Sequence, residues 1–129
     1  MGSSEKFCLR WNDFEGNVSR SFASIRDNSQ FFDCTLTTDD DEAYSDNLRA
    51  HKVILSACSK FFKNILTKES MCAHPNPLIY LKGISAQDLK YALDFIYHGE
   101  VSVAQEELDK FLEVAEALKI KGLVQRQVH

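Results

Sequence analysis

The sequence predicts a mixed α/β (α+β) domain in which a cluster of helices is flanked by a small sheet. Short stretches in which apolar residues alternate with polar ones are separated by stretches in which apolar residues recur at helical spacing. The chain has 129 residues, 44% of them hydrophobic and 26% charged, which is the length and balance of one globular domain. A chain of this size can bury a core without the help of a metal or a disulfide.

The first predicted element is a strand at FCLRWNDF, residues 7–14, in which large apolar residues alternate with smaller or polar ones. Its large apolar residues are Phe7, Leu9 and Trp11. The stretch that follows has helical spacing, so this strand has no sequence neighbour with which to pair. A helix is predicted over residues 14–28, and its apolar positions are Phe14, Val18, Phe22 and Ile25.

Two more strands and a helical region are predicted in the middle of the chain. Aromatic and β-branched residues predict a strand at residues 31–38, and a short strand at residue 48 leads into a helical stretch. The apolar surface of residues 48–69 is so broad that we expect a buried helix, or two short helices broken near Ser59. The acidic run 39–47 is predicted to be a solvated connection, because it lacks the glycine and late glutamate of a calcium loop.

Turn and capping signals divide the second half of the chain. Two prolines predict a loop over residues 70–77, and the apolar residues at 78–83 predict a strand. Ser85 begins a capping pattern, and the helix behind it is expected to stop at Gly99. A short extended piece at 100–103 and a last helix at 105–120 complete the predicted elements.

Motifs and charge give no indication of catalysis. The sequence contains no nucleophile motif, no glycine-rich phosphate loop and no histidine pair at zinc-binding spacing. We therefore expect no catalytic residues, no cofactor and no metal, and we do not expect an enzyme. Fifteen Lys and Arg against nineteen Asp and Glu give a formal charge of −4, which argues against direct nucleic-acid binding by this segment.

The sequence also indicates a cellular environment. No apolar run is long enough to cross a membrane and no signal-peptide pattern opens the chain, so we expect no membrane partner. The four cysteines are far apart in sequence, and three of them lie in apolar stretches where a reduced thiol packs as a small hydrophobe. A reducing compartment is therefore expected. These cysteines are Cys8, Cys34, Cys58 and Cys72.

One pair of opposite charges lies in otherwise apolar stretches. Asp33 falls within FFDCTL and Arg49 within LRAHKV. If these strands are neighbours, the two side chains can form a hydrogen-bonded pair at the edge of the core. Two interpretations stay open, a structural ion pair and a charged pocket for a peptide.

Four stretches in order, DCTLTT, LRAHKVILSACSKFFKNIL, LDFIYHGEV and ALKIKGL, resemble a BTB/POZ domain. The resemblance implies a domain over residues 7–124, with 1–6 as a disordered lead or as residues added to the natural chain and 125–129 as a tail. The opening FCLRWNDF resembles the Phe-x-Leu-Arg-Trp-Asn start of the tramtrack-type subgroup of insect BTB domains.

This resemblance implies a strand-exchanged homodimer. The first strand of one chain would pair with residues 100–103 of the other, and the first helix would pack across a two-fold axis. In the tramtrack-type subgroup the same strand is associated with assemblies larger than dimers, which we also expect. The implied interface residues are Phe7, Leu9, Trp11, Phe14, Val18, Phe22, Ile54, Val101 and Val103.

The resemblance further implies a self-association module of a nuclear transcription or chromatin-architecture factor. Other BTB proteins and transcriptional cofactors are the further partners that it implies. The alternative is a substrate adaptor of a cullin-3 ubiquitin ligase, for which Glu69 offers only a partial motif match.

Three features depart from the family pattern. Residues 39–47 lengthen what is usually a tight turn, Ala104 replaces a residue able to cap the last helix, and Asp13 places a negative charge at the positive end of the first helix.

Overall fold

The computed structural model describes residues 4–39, 48–68 and 73–122. Within these ranges the chain forms five helices and three strands, so the predicted α+β class is confirmed. In chain order they are α1 (Phe14–Asp27), β1 (Cys34–Thr38), β2 (Leu48–Ala50), α2 (Lys52–Cys58), α3 (Lys60–Leu66), β3 (Leu78–Leu81), α4 (Ala86–His98) and α5 (Gln105–Ala117).

The three strands form one sheet in the order β2-β1-β3. β1 pairs antiparallel with β2, which follows it in sequence, and parallel with β3, which the chain reaches only after α2 and α3. Alternate residues of β1 face the helices, and Cys34 and Leu36 on that face are fully buried. The sheet thus has one core face and one outer face.

The core lies between the inner face of the sheet and helices α2 to α5. Its largest fully buried side chains include Leu36, Leu55, Phe62, Leu89 and Leu118, one or more from each layer of the domain. Each such side chain contributes roughly 1.5–3 kcal/mol by leaving water. Helix α1 contributes no buried residue to this core.

The helix break predicted near Ser59 is confirmed. Ser59 has an extended backbone, with φ −133° and ψ 120°, and separates α2 from α3. Its hydroxyl oxygen accepts a hydrogen bond from the Phe62 backbone N–H at 3.1 Å and donates one to the Leu118 carbonyl. One buried side chain therefore caps α3 and ties it to the end of α5.

Both ends predicted for the helix behind Ser85 are confirmed. The Ser85 hydroxyl accepts a hydrogen bond from the Asp88 N–H at 3.0 Å, and Gly99 ends α4 with φ 83°. The last helix is shorter than predicted, since it ends at Ala117 and not at residue 120. The backbone beyond it bonds instead to the junction of α2 and α3, where Lys121 N–H donates to the Cys58 carbonyl at 2.9 Å.

Three predicted strand segments differ from the structure. Residues 7–13 and 100–103 form no hydrogen-bonded strand within this single chain, and residues 31–33 precede β1 without joining it. A strand needs a neighbour to pair with, and the single chain offers none to the first two segments. Of the predicted connection 39–47 only its first residue is described, and residues 70–72 of the predicted loop also lie outside the described ranges.

None of the helices in the described part of the chain combines the length and the apolar character needed to span a membrane.

Candidate self-association surface

The N-terminal segment before α1 exposes large apolar side chains. Leu9 is 91% exposed and Trp11 60% exposed, and Phe7 is as open to solvent. Trp11 meets Phe14 in an edge-to-face contact with ring centroids 5.1 Å apart. A cluster of exposed apolar side chains of this kind marks a candidate interaction surface.

Helix α1 continues this apolar surface. Phe14 and Phe22 are exposed and Val18 is half-buried, so its apolar stripe is largely uncovered. Amphipathic helices normally bury such a stripe, and this one buries no residue at all. The stripe therefore has room for a partner.

The polar contacts that hold α1 to the rest of the domain lie in its last turn. Arg26 Nη1 donates to Asp94 Oδ1 at 2.7 Å, and its guanidinium lies 5.2 Å from the centroid of the Tyr97 ring. Asp27 Oδ1 lies 3.8 Å from His98 Nε2. Both partners of the Arg26 ion pair are partly buried, so it is stronger than an ordinary surface pair.

The start of α1 is shaped by Asp13 and Gly16. Asp13 precedes the helix with φ 51°, makes no side-chain capping bond, and places its carboxylate 3.0 Å from Arg20 Nη2. A Cβ added to Gly16 would lie 2.5 Å from Asp13 Oδ2, so a larger residue there would displace this exposed carboxylate from its present position. The predicted negative charge thus sits at the helix start and is paired with Arg20.

Helix α2 differs from the buried helix predicted from its broad apolar surface. Val53 is 74% exposed, whereas Ile54, a predicted interface residue, is 7% exposed and packs in the core of its own chain. The sequence contained a signal for the exposure of Val53. The helix has more apolar residues than a single core-facing stripe can accommodate, so some of them had to face outward. The outward side of α2 is therefore the part available to a second chain.

The segment predicted to receive the exchanged strand follows α4. Val101 and Val103 are half-buried and pack against the core, and neither joins a strand in this chain. Ala104 makes no capping bond at the start of α5, as its side chain predicts. The backbone of residues 100–103 is thus left outside the sheet.

Asp33 and Arg49 form no ion pair with each other in the structure, and the interpretation of the two as a charged pocket stays a prediction. Asp33 Oδ1 instead accepts a hydrogen bond from the Lys52 backbone N–H at 2.7 Å, which satisfies a donor at the start of α2. Arg49 lies over the ring of Phe32, with its guanidinium carbon 5.3 Å from the ring centroid. His51, the residue before α2, supplies no capping bond itself, so Asp33 caps this helix from its position just before β1.

This capping role predicts a graded response to substitution of Asp33. Asp33→Asn keeps an oxygen acceptor and should change the free energy of unfolding by less than about 1 kcal/mol, whereas Asp33→Ala should lower it by about 1–2 kcal/mol. Urea unfolding of both variants at one protein concentration checks this. Equal losses in the two variants would contradict the capping role and point to the charge itself.

A buried histidine joins α4 to the loop after α1. The Gln30 carbonyl can only accept a hydrogen bond, so the His51 Nε2 at 2.7 Å from it carries the proton. His51 Nδ1 then accepts from the Tyr97 hydroxyl at 2.6 Å, and the Tyr97 oxygen accepts from the His51 backbone N–H at 3.0 Å. Every polar atom of this network is satisfied, which fixes the loop against the core.

Outside this surface, the described part of the chain has a shallow groove and isolated thiols. The groove has a volume of about 370 Å³ and lies between α3, β3 and α5, with Phe61, Lys82, Lys110 and Glu113 among its lining residues. No group of three or more His, Cys, Asp or Glu side chains is placed to hold a metal ion within residues 4–39, 48–68 and 73–122.

The cysteines of this part of the chain are free thiols. Cys8 is exposed and Cys34 is buried, and burial raises the pKa of Cys34 to about 11. A thiol with so high a pKa is held in its unreactive protonated form. Cys72, and Glu69 on which the adaptor alternative depends, lie outside the described residues.

A small sheet against a helical cluster, with an uncovered apolar segment and first helix, is the architecture of a protein-interaction domain. The model of the BTB/POZ domain family matches residues 22–129. The chain belongs to this family, as its sequence resemblance predicted.

Several curated proteins of Drosophila melanogaster are similar to this chain. The longitudinals lacking protein-like is 43% identical over 125 residues, which cover 97% of this chain and 92% of that protein. Protein tramtrack, alpha isoform, is 42% identical over 95% of this chain. The Broad-complex core protein is 40% identical over 98% of it. The chain spans only 14% and 16% of the lengths of the last two.

Among solved structures, the BTB domain of zebrafish PATZ1 superimposes with a TM-score of 0.74. The match covers 90% of this chain and 89% of that one at 20% sequence identity. This likeness concerns the fold and confirms the BTB architecture.

Proposed function

We propose that this domain is a self-association module, forming a strand-exchanged homodimer and larger assemblies on behalf of a nuclear transcription or chromatin-architecture factor. The observation that carries the proposal is the uncovered N-terminal surface, where the segment before α1 exposes three large apolar side chains and α1 buries none. A second copy of the chain is the proposed partner, because it carries the same uncovered apolar surface.

Backbone hydrogen bonding supports strand exchange. The segment at residues 7–11 and the segment at residues 100–103 both lie outside the sheet of their own chain. Pairing the first segment of each chain with the second segment of the other satisfies the backbone groups of both. Such a contact is isologous, so it closes at two chains.

Apolar burial supplies the free energy for this association. Phe7, Leu9, Trp11, Phe14 and Phe22 are all exposed in the single chain. Full burial of a large apolar side chain contributes roughly 1.5–3 kcal/mol. A two-fold contact covers these five side chains on both chains, so partial burial of the resulting ten can exceed the cost of bringing two chains together, which is on the order of 4–15 kcal/mol.

Multivalency is the proposed biological use. The chain spans a small part of tramtrack and of the Broad-complex core protein, so other segments can perform recognition while this domain joins the copies. Joining two weak binders raises the effective concentration of each for a shared target. The formal charge of −4 fits a module that leaves nucleic-acid contact to other segments. Related BTB domains and transcriptional cofactors are the further proposed partners, the nucleus is the proposed location, and no catalytic role is proposed.

Removing residues 1–13 tests the exchange. We expect the truncated chain to form an assembly of fewer chains than the intact chain does, or to be poorly soluble, because its apolar partner surfaces are left open. Light scattering coupled to size-exclusion chromatography measures this mass. An unchanged number of chains per oligomer would contradict the exchange.

A matched pair of variants tests whether the apolar face of this segment, and not merely the presence of the segment, is needed for assembly. Phe7, Leu9 and Trp11 are changed to serine in one variant, and the intervening Cys8, Arg10 and Asn12 in the other. The first variant should lose the assembly and the second should keep it, because only one face of a strand packs on its partner. Loss in both, or in neither, would contradict the proposed contact.

A further inference from the structure

We propose that the open edge of β3 pairs antiparallel with β3 of a second copy of this chain, and that this contact joins dimers into larger assemblies. The inference rests on the proposed function, because the strand-exchanged dimer is the unit that it joins. It assigns the larger assembly to a surface separate from the N-terminal segment.

The register of the sheet shows which backbone groups of β3 face outward. The Thr35 N–H donates to the Pro77 carbonyl at 3.0 Å, and β1 and β3 run parallel with Thr35 beside Leu78. In a parallel ladder only alternate residues bond to a given neighbour. Ile79 therefore bonds to β1, while Leu78 and Tyr80 direct their N–H and carbonyl groups to the open edge. No described residue bonds to these outward groups.

The side chains of the same two residues are also uncovered. Leu78 is 64% exposed and Tyr80 is 56% exposed, and both lie on the outer face of the sheet. β3 has only four residues, and short length is itself one protection against edge pairing; the other usual devices are a charge, a proline or a bulge within the strand. The four residues of β3 contain none of these, although Pro77 precedes them and Lys82 follows them. The open edge is therefore short and has defined limits.

This geometry fixes the register of the contact. Outward backbone groups can bond only to outward groups of the other strand, so Leu78 and Tyr80 must face the same two residues of the second copy. The antiparallel arrangement with two-fold symmetry places Leu78 opposite Tyr80 of the second copy, and Ile79 on the axis. The two exposed side chains then become cross-strand neighbours on one face.

Self-complementarity identifies a second copy as the occupant. Under a two-fold axis the same two residues supply donors and acceptors at matching spacing, and none of the four residues of β3 is charged, although the Tyr80 hydroxyl is hydrogen-bonded to the Asp39 carboxylate. Neither the N-terminal segment nor α1 takes part, so both contacts can form in one assembly. Two different two-fold contacts on each chain build closed rings or open filaments, not a dimer alone.

The proposed contact can be tested by placing charges on the edge of β3 and measuring the mass of the assembly in solution. The variant carrying Leu78→Lys and Tyr80→Lys should have twice the chain mass of 14.7 kDa, whereas the intact chain should be heavier than this. Phe31→Lys is the matched control, since Phe31 is an exposed apolar residue that precedes β1 and lies next to residues packed on α2. It should leave the mass unchanged.

The outcomes separate this inference from the proposed function. An intact chain that is only a dimer, or a lysine variant as heavy as the intact chain, would overturn the β3 contact and leave the strand-exchanged dimer standing. A monomeric intact chain would overturn both.

A crosslink tests the register without relying on lysine substitution. In a Cys8→Ser background, the double variant Leu78→Cys and Tyr80→Cys should form disulfides between chains under mild oxidation, because opposite residues lie about 5.5 Å apart between Cα atoms. Each single cysteine variant should stay reduced, because its own copy lies diagonally and beyond disulfide reach. Absence of the crosslink in the double variant, or an equal crosslink in a single variant, would overturn the proposed register.

Discussion

Ser59→Ala is expected to lower the free energy of unfolding by about 2–4 kcal/mol, because it leaves two buried backbone groups without partners. The Ser59 hydroxyl accepts from the Phe62 N–H and donates to the Leu118 carbonyl, and the residue is fully buried. Neither group can reach water after the substitution. In a domain of this size the melting temperature should fall by on the order of 10 °C.

Ser56→Ala is the matched control for this prediction. Ser56 lies in α2, is only half-buried, and its hydroxyl makes no hydrogen bond with a described residue. Alanine favours a helix interior, so this variant should be as stable as the parent chain or slightly more stable. Thermal unfolding of both variants is compared at one protein concentration, because association also shifts the melting temperature. Equal stability of the two variants would contradict the role of Ser59.

Tyr97 is expected to control the stability of the domain at high pH. Burial raises the pKa of Tyr97 from 10.0 to about 12, although Arg26 and the bond from His51 act in the opposite direction. The folded chain therefore holds this proton more tightly than the unfolded chain does. Stability from this group is complete below about pH 10 and is lost as the pH rises to about 12, by about 2–3 kcal/mol in total.

Tyr97→Phe should change both the level and the slope of this pH profile. At neutral pH the variant should lose about 2–4 kcal/mol, because the His51 backbone N–H and Nδ1 lose their partner in a buried site. Above pH 10 it should lose less additional stability than the parent chain does. The residual slope comes from other raised groups, such as Cys34, whose pKa rises from 9.0 to about 11 through burial.

Tyr91→Phe provides the comparison for Tyr97. The Tyr91 hydroxyl donates to Glu107 Oε2 at 2.7 Å from a half-buried position, so its loss should cost only about 0.5–1.5 kcal/mol. Urea unfolding at several pH values between 7 and 11 gives the free energy of unfolding at neutral pH and its change with pH. Parallel profiles for the parent chain and Tyr97→Phe would contradict the assignment.

Local signals allowed much of the fold to be predicted. A serine three residues before an aspartate, a glycine after an apolar helix, and a polar residue within a long apolar stretch each have a backbone consequence that depends on few neighbours. Ser85, Gly99 and Ser59 behave accordingly. The family resemblance extended these local predictions to the order of the whole chain.

Predictions that depended on distant contacts were less successful. Arg49 lies in β2 and Asp33 directly precedes the neighbouring strand β1, yet the helix start nearby offers Asp33 a backbone donor that competes with the guanidinium. The last helix was predicted too long because its pattern does not reveal the bonds between residues 119–121 and the α2–α3 junction. The exposed edge of β3 was missed because its uniformly apolar sequence resembles that of a buried strand.

The polar contacts of helix α1 with the rest of the domain lie at one end of the helix. Its polar links to the domain lie at Arg26 and Asp27, whereas Phe14 lies at the opposite end of the helix. The distance along the axis from residue 14 to residue 26 is about 18 Å, so a tilt of about 10° at the attached end moves Phe14 by about 3 Å. A change of angle at this end would therefore displace the exposed aromatic end of α1 without involving the buried core, to which α1 contributes no residue.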